Sequence, residues 1–210
     1  NIDIKFLKEF KKVILKNTRK YKFIIVTGGG SIARKYISAL RISGVNEKLQ
    51  SMIGISSTRT NARFVSYLFN KDQNEGIPQQ MKTVASYIKE KDIVFCGALD
   101  YKENQTSDAT ATQIASHFNS IFINLTNVPG LFNKNPLEHK DAKFIPEISF
   151  QGLWKMSHEK KYSPGQHFII DQTASTIILR HKIQTYILGK DLKQLDNLLN
   201  NRKFKGTTVN

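Results

Sequence analysis

Phe23-Ile24-Ile25-Val26-Thr27-Gly28-Gly29-Gly30-Ser31-Ile32-Ala33-Arg34-Lys35-Tyr36-Ile37 decides the fold. An apolar, β-branched run ends in three glycines, and a helix-compatible segment with an early arginine follows. The run reads as a buried strand that delivers the chain to a turn without Cβ atoms, where backbone N–H groups can approach an anion closely. A helix N-terminus then adds unpaired amides and partial positive charge, and Arg34, one turn in, can reach the same anion. Three glycines are equally compatible with a plain strand–helix turn. The spacing is neither G-x-x-x-x-G-K-[ST] nor a clean G-x-G-x-x-G, so neither a Walker loop nor a dinucleotide fingerprint is indicated.

Working outward, the periodicity predicts helix 3–19, strand 22–27, helix 31–43 and a long helical stretch over 47–69. Asn74-Glu75-Gly76-Ile77-Pro78 breaks that stretch, a short helix at 80–89 follows, and strand 92–96 enters a polar loop at 97–106. Helix 107–118, strand 121–125, a loop-rich stretch 126–145, helix 171–181, strand 184–188, helix 191–200 and strand 207–209 complete the pattern. Residues 149–166, with charge and a Ser-Pro-Gly break, are expected to be mobile. Alternating strands and helices predict an α/β fold with a largely parallel sheet covered on both faces. Right-handed crossovers would bring the glycine turn, the 97–106 loop and the 126–136 loop to one sheet edge.

The chain of 210 residues suits one domain, 1–210, with 40% hydrophobic residues and no apolar run near the roughly 20 residues of a membrane span. Its lone cysteine, Cys96, sits in the apolar run Ile93-Val94-Phe95-Cys96 and is expected to be a buried thiol in a cytoplasmic protein. The net charge of +15 invites a nucleic-acid partner. The lysines of residues 3–20, however, alternate with Ile4, Leu7, Phe10, Val13 and Ile14 as on a solvated helix face. A solvated surface, with steering of small anions, is the favoured reading over a polynucleotide site.

Several polar groups have two uses open to them. Thr106 or Ser107 suits the N-cap of helix 107–118, and the same residues could give a second phosphate contact facing Gly28–Gly30. Thr126-Asn127-Val128-Pro129-Gly130-Leu131-Phe132 is either a plain turn or the lining of a nucleotide pocket, with Phe132 offering an apolar ring. Asp171 either caps the helix that follows Phe168-Ile169-Ile170 or presents a carboxylate beside reacting phosphates. The five histidines show no metal-ligand spacing, and no Gly-x-Ser-x-Gly elbow occurs.

VTGGGSIARKYI (26–37), IGISSTRTNA (53–62), QTSDATA (105–111), TNVPGLFNKNP (126–136), DAKFIPEIS (141–149), IIDQTASTIILRHKI (169–183), YILGKD (186–191) and GTTV (206–209) together resemble the amino acid kinase superfamily, in its archaeal-type UMP kinase branch. Isopentenyl phosphate kinases share the scaffold but usually carry a histidine after the glycine turn, where Ile32-Ala33-Arg34 stands here. The resemblance implies an α/β/α sandwich, commonly a hexamer, that moves the γ-phosphate of ATP to UMP with Mg²⁺. It also implies that Gly28, Gly29, Gly30, Arg34 and Thr106 hold the UMP phosphate. Thr126, Asn127, Phe132 and Pro136 would border ATP, and Asp171 would orient the reacting groups.

Three positions depart from the family pattern. Ser51 and Pro129 stand where the family usually has an aspartate, and its D-P pair reads Asn135-Pro136. Weaker affinity, altered specificity, or nucleotide binding without efficient transfer is the corresponding expectation. The sequence begins at Asn1, before an amphipathic helix and without the strand, lysine and glycines that grip ATP in the family. On that reading it is a truncated or processed chain, and the 210 residues alone are expected to be a poor catalyst.

Overall fold

The computed structural model describes residues 2–71, 76–101, 106–159 and 170–210. They form two compact units, Asn1–Thr110 and Ala111–Asn210. Gln105, residues 160–166 and the Phe168-Ile169 pair singled out above lie outside the described residues.

In the first unit, α1 (Ile4–Asn17), β1 (Phe23–Val26), α2 (Gly30–Ile42), α3 (Glu47–Leu68), α4 (Met81–Glu90) and β2 (Ile93–Cys96) follow one another before α5 (Ser107–His117) begins. Side chains fix several helix starts. Asp3 accepts a hydrogen bond from the Phe6 N–H and Asn46 one from the Leu49 N–H, each satisfying an amide the helix leaves open. β1 and β2 pair in parallel from Phe23↔Ile93 to Val26↔Cys96, so both strands end side by side. Every residue of β2 is buried, as expected of an apolar run covered on both faces. Phe10 of α1, Phe69 after α3 and Phe95 of β2 form a chain of edge-to-face rings, with centroids 6.1 and 5.0 Å apart.

Cys96 is fully buried in this layer, and burial pushes its thiol up to about 12. Almost no thiolate then exists near pH 8. Iodoacetamide is expected to leave the native protein unlabelled and to alkylate Cys96 once denaturant opens the unit. Rapid labelling of the folded protein would contradict that burial.

The second unit contains β3 (Phe122–Leu125), β4 (Leu131–Phe132), β5 (Phe144–Ile145), β6 (Glu147–Ile148), α6 (Phe150–Glu159), α7 (Gln172–His181), β7 (Thr185–Leu188), α8 (Leu192–Leu199) and β8 (Thr207–Val209). Its four-stranded sheet has the order β3-β7-β8-β6. β3 pairs in parallel with β7 and β6 with β8, while β7 and β8 run antiparallel. Phe122, Leu153, Ile178, Ile187 and Val209 belong to one buried apolar cluster.

Two sequence expectations need correction here. Residues 150–159 are helix, not a mobile stretch: Leu153 and Ser157 are buried, and Ser157 Oγ lies 2.6 Å from Ser175 Oγ of α7. Within 126–145, β4 and β5 form a short antiparallel pair anchored to β8 through Thr207. The Thr207 hydroxyl accepts from the Leu131 N–H at 2.8 Å and donates to the Ile145 carbonyl.

Candidate phosphate-binding site

Two adjacent parallel strands set up the first part of the site. β1 leads into Gly28–Gly30 and α2; β2 leads into the 97–106 loop and α5. The hydrogen bond from the Thr27 N–H to the Cys96 carbonyl, 2.9 Å, extends the pairing one residue into the glycine turn. A Cβ on Gly28 would stand 3.3 Å from Ser107 Oγ, so the turn lies directly against the start of α5. Gly29 is the N-cap of α2 and has no side chain to satisfy the open amides. Gly30 has φ +63°, the left-handed region that a side chain resists. Thr106 caps α5, its Oγ1 accepting from the Ala109 N–H at 3.0 Å. Two helix N-termini thus start beside one another at the ends of paired strands, and both carry partial positive charge.

Arg34 projects from the first turns of α2 and is exposed. The glycine turn, Arg34 and Thr106 therefore all belong to the first unit, and Gly28 and the Thr106–Ser107 start of α5 are in direct proximity. Thr106 performs the capping role, and its neighbour Ser107 makes the closest approach to the turn.

Sequence reasoning gave no role to the residues of α3 that hold this geometry. Thr58 accepts from the Ala98 N–H at 2.8 Å, and its carbonyl accepts from Thr27 Oγ1 at 2.8 Å. Arg59 donates to the carbonyls of Ala98 and Leu99, at 3.0 and 2.7 Å, and to Gln79 Oε1 at 2.9 Å. Burial lowers the Arg59 pKa, opposed by the charge of Asp100. Asn61 Nδ2 donates to the Gly28 carbonyl at 2.7 Å. The visible signal was the polar run Ser56-Ser57-Thr58-Arg59-Thr60-Asn61 inside a long helix, where polar groups need a reason to be buried.

Gly97 makes the tightest of these contacts. A Cβ there would come within 2.6 Å of the Arg59 nitrogen and within 2.5 Å of Thr58 Oγ1. Gly97→Ala is expected to cost about 3 kcal/mol, the upper range for overpacking against a backbone that cannot yield. Chemical denaturation measures it, and an unchanged midpoint would contradict the close approach.

The remaining residues lie in the second unit. Thr126 continues β3, its N–H donating to the Leu188 carbonyl at 2.8 Å, and its hydroxyl meets Asn127 Oδ1 at 3.2 Å. Phe132, in β4, packs edge-on against Phe144 with centroids 5.4 Å apart. Pro136 is half-buried, and Asn135 Oδ1 accepts from the Leu137 N–H at 3.1 Å in the same turn. Lys134 pairs with Asp141, holding that carboxyl below its ordinary value. Asp171 is the N-cap of α7, its Oδ1 accepting from the Ala174 N–H at 2.9 Å. Ser51, by contrast, belongs to the first unit and lies exposed on α3. Among the described residues no group of three His, Cys, Asp or Glu side chains could hold a metal ion, and no helix is long and apolar enough to cross a membrane.

Parallel strands that end in a glycine turn and paired helix N-termini define an α/β protein whose strand ends are arranged to suit an anion. Residues 3–189 match the amino acid kinase family, and the chain belongs to that family. The chain is 31% identical over 210 residues to the uridylate kinase of Thermoplasma volcanium, covering 99% of this chain and 90% of that protein. The crystal structure of uridylate kinase from Archaeoglobus fulgidus superposes with a TM-score of 0.85 at 28% identity, over 99% of this chain and 94% of that one. The UMP kinase structure from Bacillus anthracis, 19% identical, shares the fold with a TM-score of 0.82 over 100% of this chain and 88% of that one. The fold is the α/β fold of the amino acid kinases, as the ordered motifs implied.

Proposed function

We propose that this protein is a nucleoside monophosphate kinase that transfers the γ-phosphate of ATP to UMP, giving UDP and ADP. One observation carries the reading: Gly28 abuts the start of α5 at the ends of two parallel strands, in a chain related along nearly its full length to uridylate kinases. Amides of Gly29, Gly30 and the first turns of α2 and α5 bind the UMP phosphate, and Arg34 supplies the full positive charge. Thr106 orders the α5 end of that seat through its cap. Thr126, Asn127, Phe132 and Pro136 border ATP, and Asp171 orients the reacting groups.

An oxygen of the UMP phosphate attacks the γ-phosphorus of ATP, the bond to the β,γ-bridging oxygen breaks, and ADP departs with that electron pair. The protein forms no covalent bond to either substrate; it positions two anions and neutralises their charge. Mg²⁺ bound with ATP would supply further positive charge to the transferring phosphates, beside the proposed orienting role of Asp171. A cytoplasmic location and assembly as a hexamer belong to the same proposal, and light scattering of the purified protein tests the second.

A coupled ADP-release assay on the full chain, comparing UMP, CMP and isopentenyl phosphate, is expected to show preferred turnover of UMP. The second reading is a nucleotide-binding protein without efficient transfer. Ser51, Pro129 and Asn135, neutral where the family is usually acidic, favour it. Measurable UMP and ATP binding with no ADP release would decide for that alternative.

A further inference from the structure

Thr58, Arg59 and Asn61 lie within one turn of α3, and each makes a hydrogen bond to a backbone group of the loops that leave β1 and β2. Asn61 is distinct among them because its partner is the glycine turn itself. Its Nδ2 donates to the Gly28 carbonyl at 2.7 Å across 33 residues of sequence.

A Gly-Gly peptide is the least restrained unit in a chain, since neither residue has a side chain to bias φ or ψ. Rotation of the Gly28–Gly29 peptide plane would exchange the directions of its carbonyl and its N–H. One orientation offers a donor to an anion; the other offers the negative end of a dipole. No cis peptide bond occurs among the described residues, so the Gly28 carbonyl and the Gly29 N–H point in opposite directions. Holding the carbonyl toward α3 therefore turns the N–H away from α3. The Gly29 carbonyl is engaged as well, accepting from the Ala33 N–H at 3.2 Å as α2 begins. A Cβ on Gly29 would collide with the Ala33 Cβ, so no side chain could take over the restraint.

We infer that Asn61 is a positioning residue for the acceptor phosphate: its amide locks the Gly28–Gly29 peptide so that the Gly29 N–H serves the anion seat. The inference rests on the acceptor reading above and adds a residue that touches neither substrate. Asn61→Leu keeps approximate size and adds no charge, but it removes the donor. Calorimetric titration with UMP and with uridine, on wild type and variant, separates anion binding from nucleoside binding. Expected is a loss of roughly tenfold in UMP affinity, the scale of one hydrogen bond, with uridine affinity unchanged and the melting temperature within about 2 °C of wild type. The KM for UMP should rise by the same factor while the KM for ATP stays within about twofold.

Equal weakening of UMP and uridine, or an unchanged UMP affinity, would overturn the positioning role. If the leucine variant does not fold, Asn61→Ala is read by the same titrations. Wild type that binds and phosphorylates UMP, with a variant that does so equally well, sinks this inference alone. Wild type that binds no UMP sinks the acceptor reading with it.

Discussion

Asp171→Asn lowers kcat for phosphoryl transfer by roughly 10² to 10³, the range for removing one group that acts on the reacting centre, and leaves the fold intact. The substitution separates two roles that one carboxylate combines. Asp171 caps α7 through Oδ1, 2.9 Å from the Ala174 nitrogen. Asparagine is as good an N-cap as aspartate, so the helix keeps its start and stability changes by less than about 1 kcal/mol. The charge is lost, and with it the group proposed to orient the reacting phosphates. Asp171→Ala removes both cap and charge, adding a stability loss of about 0.5–2 kcal/mol to the same kinetic defect. Steady-state rates beside thermal unfolding measure the pair. An asparagine variant with wild-type kcat would reduce Asp171 to a cap.

Arg34→Ala raises the UMP requirement far more than the ATP requirement. The guanidinium is exposed on the first turns of α2, next to the glycine turn, and its proposed partner is the acceptor phosphate alone. A charge-assisted hydrogen bond contributes about 1.5–3 kcal/mol. The expected rise in KM for UMP is therefore roughly 10- to 150-fold, with the KM for ATP within about twofold. Arg34→Lys recovers part of the loss, since an ammonium supplies charge without the planar fork that grips two oxygens at once. Equal effects on both substrates would show that the arginine acts elsewhere. A large fall in stability would contradict its exposed position, where substitutions usually change little.

The strand–glycine–helix segment at 23–37 was legible because its two periods are unambiguous. Four buried-type residues give way to turn residues, and an amphipathic helix resumes at Gly30. The same contrast located β2, β3 and β7, and the helices α5 and α8 that follow β2 and β7, to within one or two residues of their ends. Shorter elements left no such trace. β4, β5 and β6 are two residues each, too short for alternation, and depend on pairing partners distant in sequence, Thr207 above all. α6 was hidden by Gly152 and by charge, although Phe150, Leu153, Trp154 and Ser157 recur at helical spacing.

The acceptor seat was legible in its glycines, in Arg34 and in the capping residues of α5, each of which announces itself locally. Its supports were not. Thr58, Arg59 and Asn61 look from the sequence like the solvated face of a long helix, and their backbone partners in the loops after β1 and β2 lie 31 to 40 residues away. The family resemblance named IGISSTRTNA as a segment without assigning work to those side chains. Their function follows from hydrogen bonds to backbone groups, and backbone groups carry no sequence signature.

A crystal structure of the protein with UMP bound would locate the acceptor seat outright. The phosphate is expected within hydrogen-bond distance of the Gly29 and Gly30 amides, at the start of α5 beside Ser107 and Thr106, with the Arg34 guanidinium turned onto it. A nucleotide seated elsewhere, with the Gly28–Gly30 amides facing solvent and Arg34 pointing away from the phosphate, would contradict that placement.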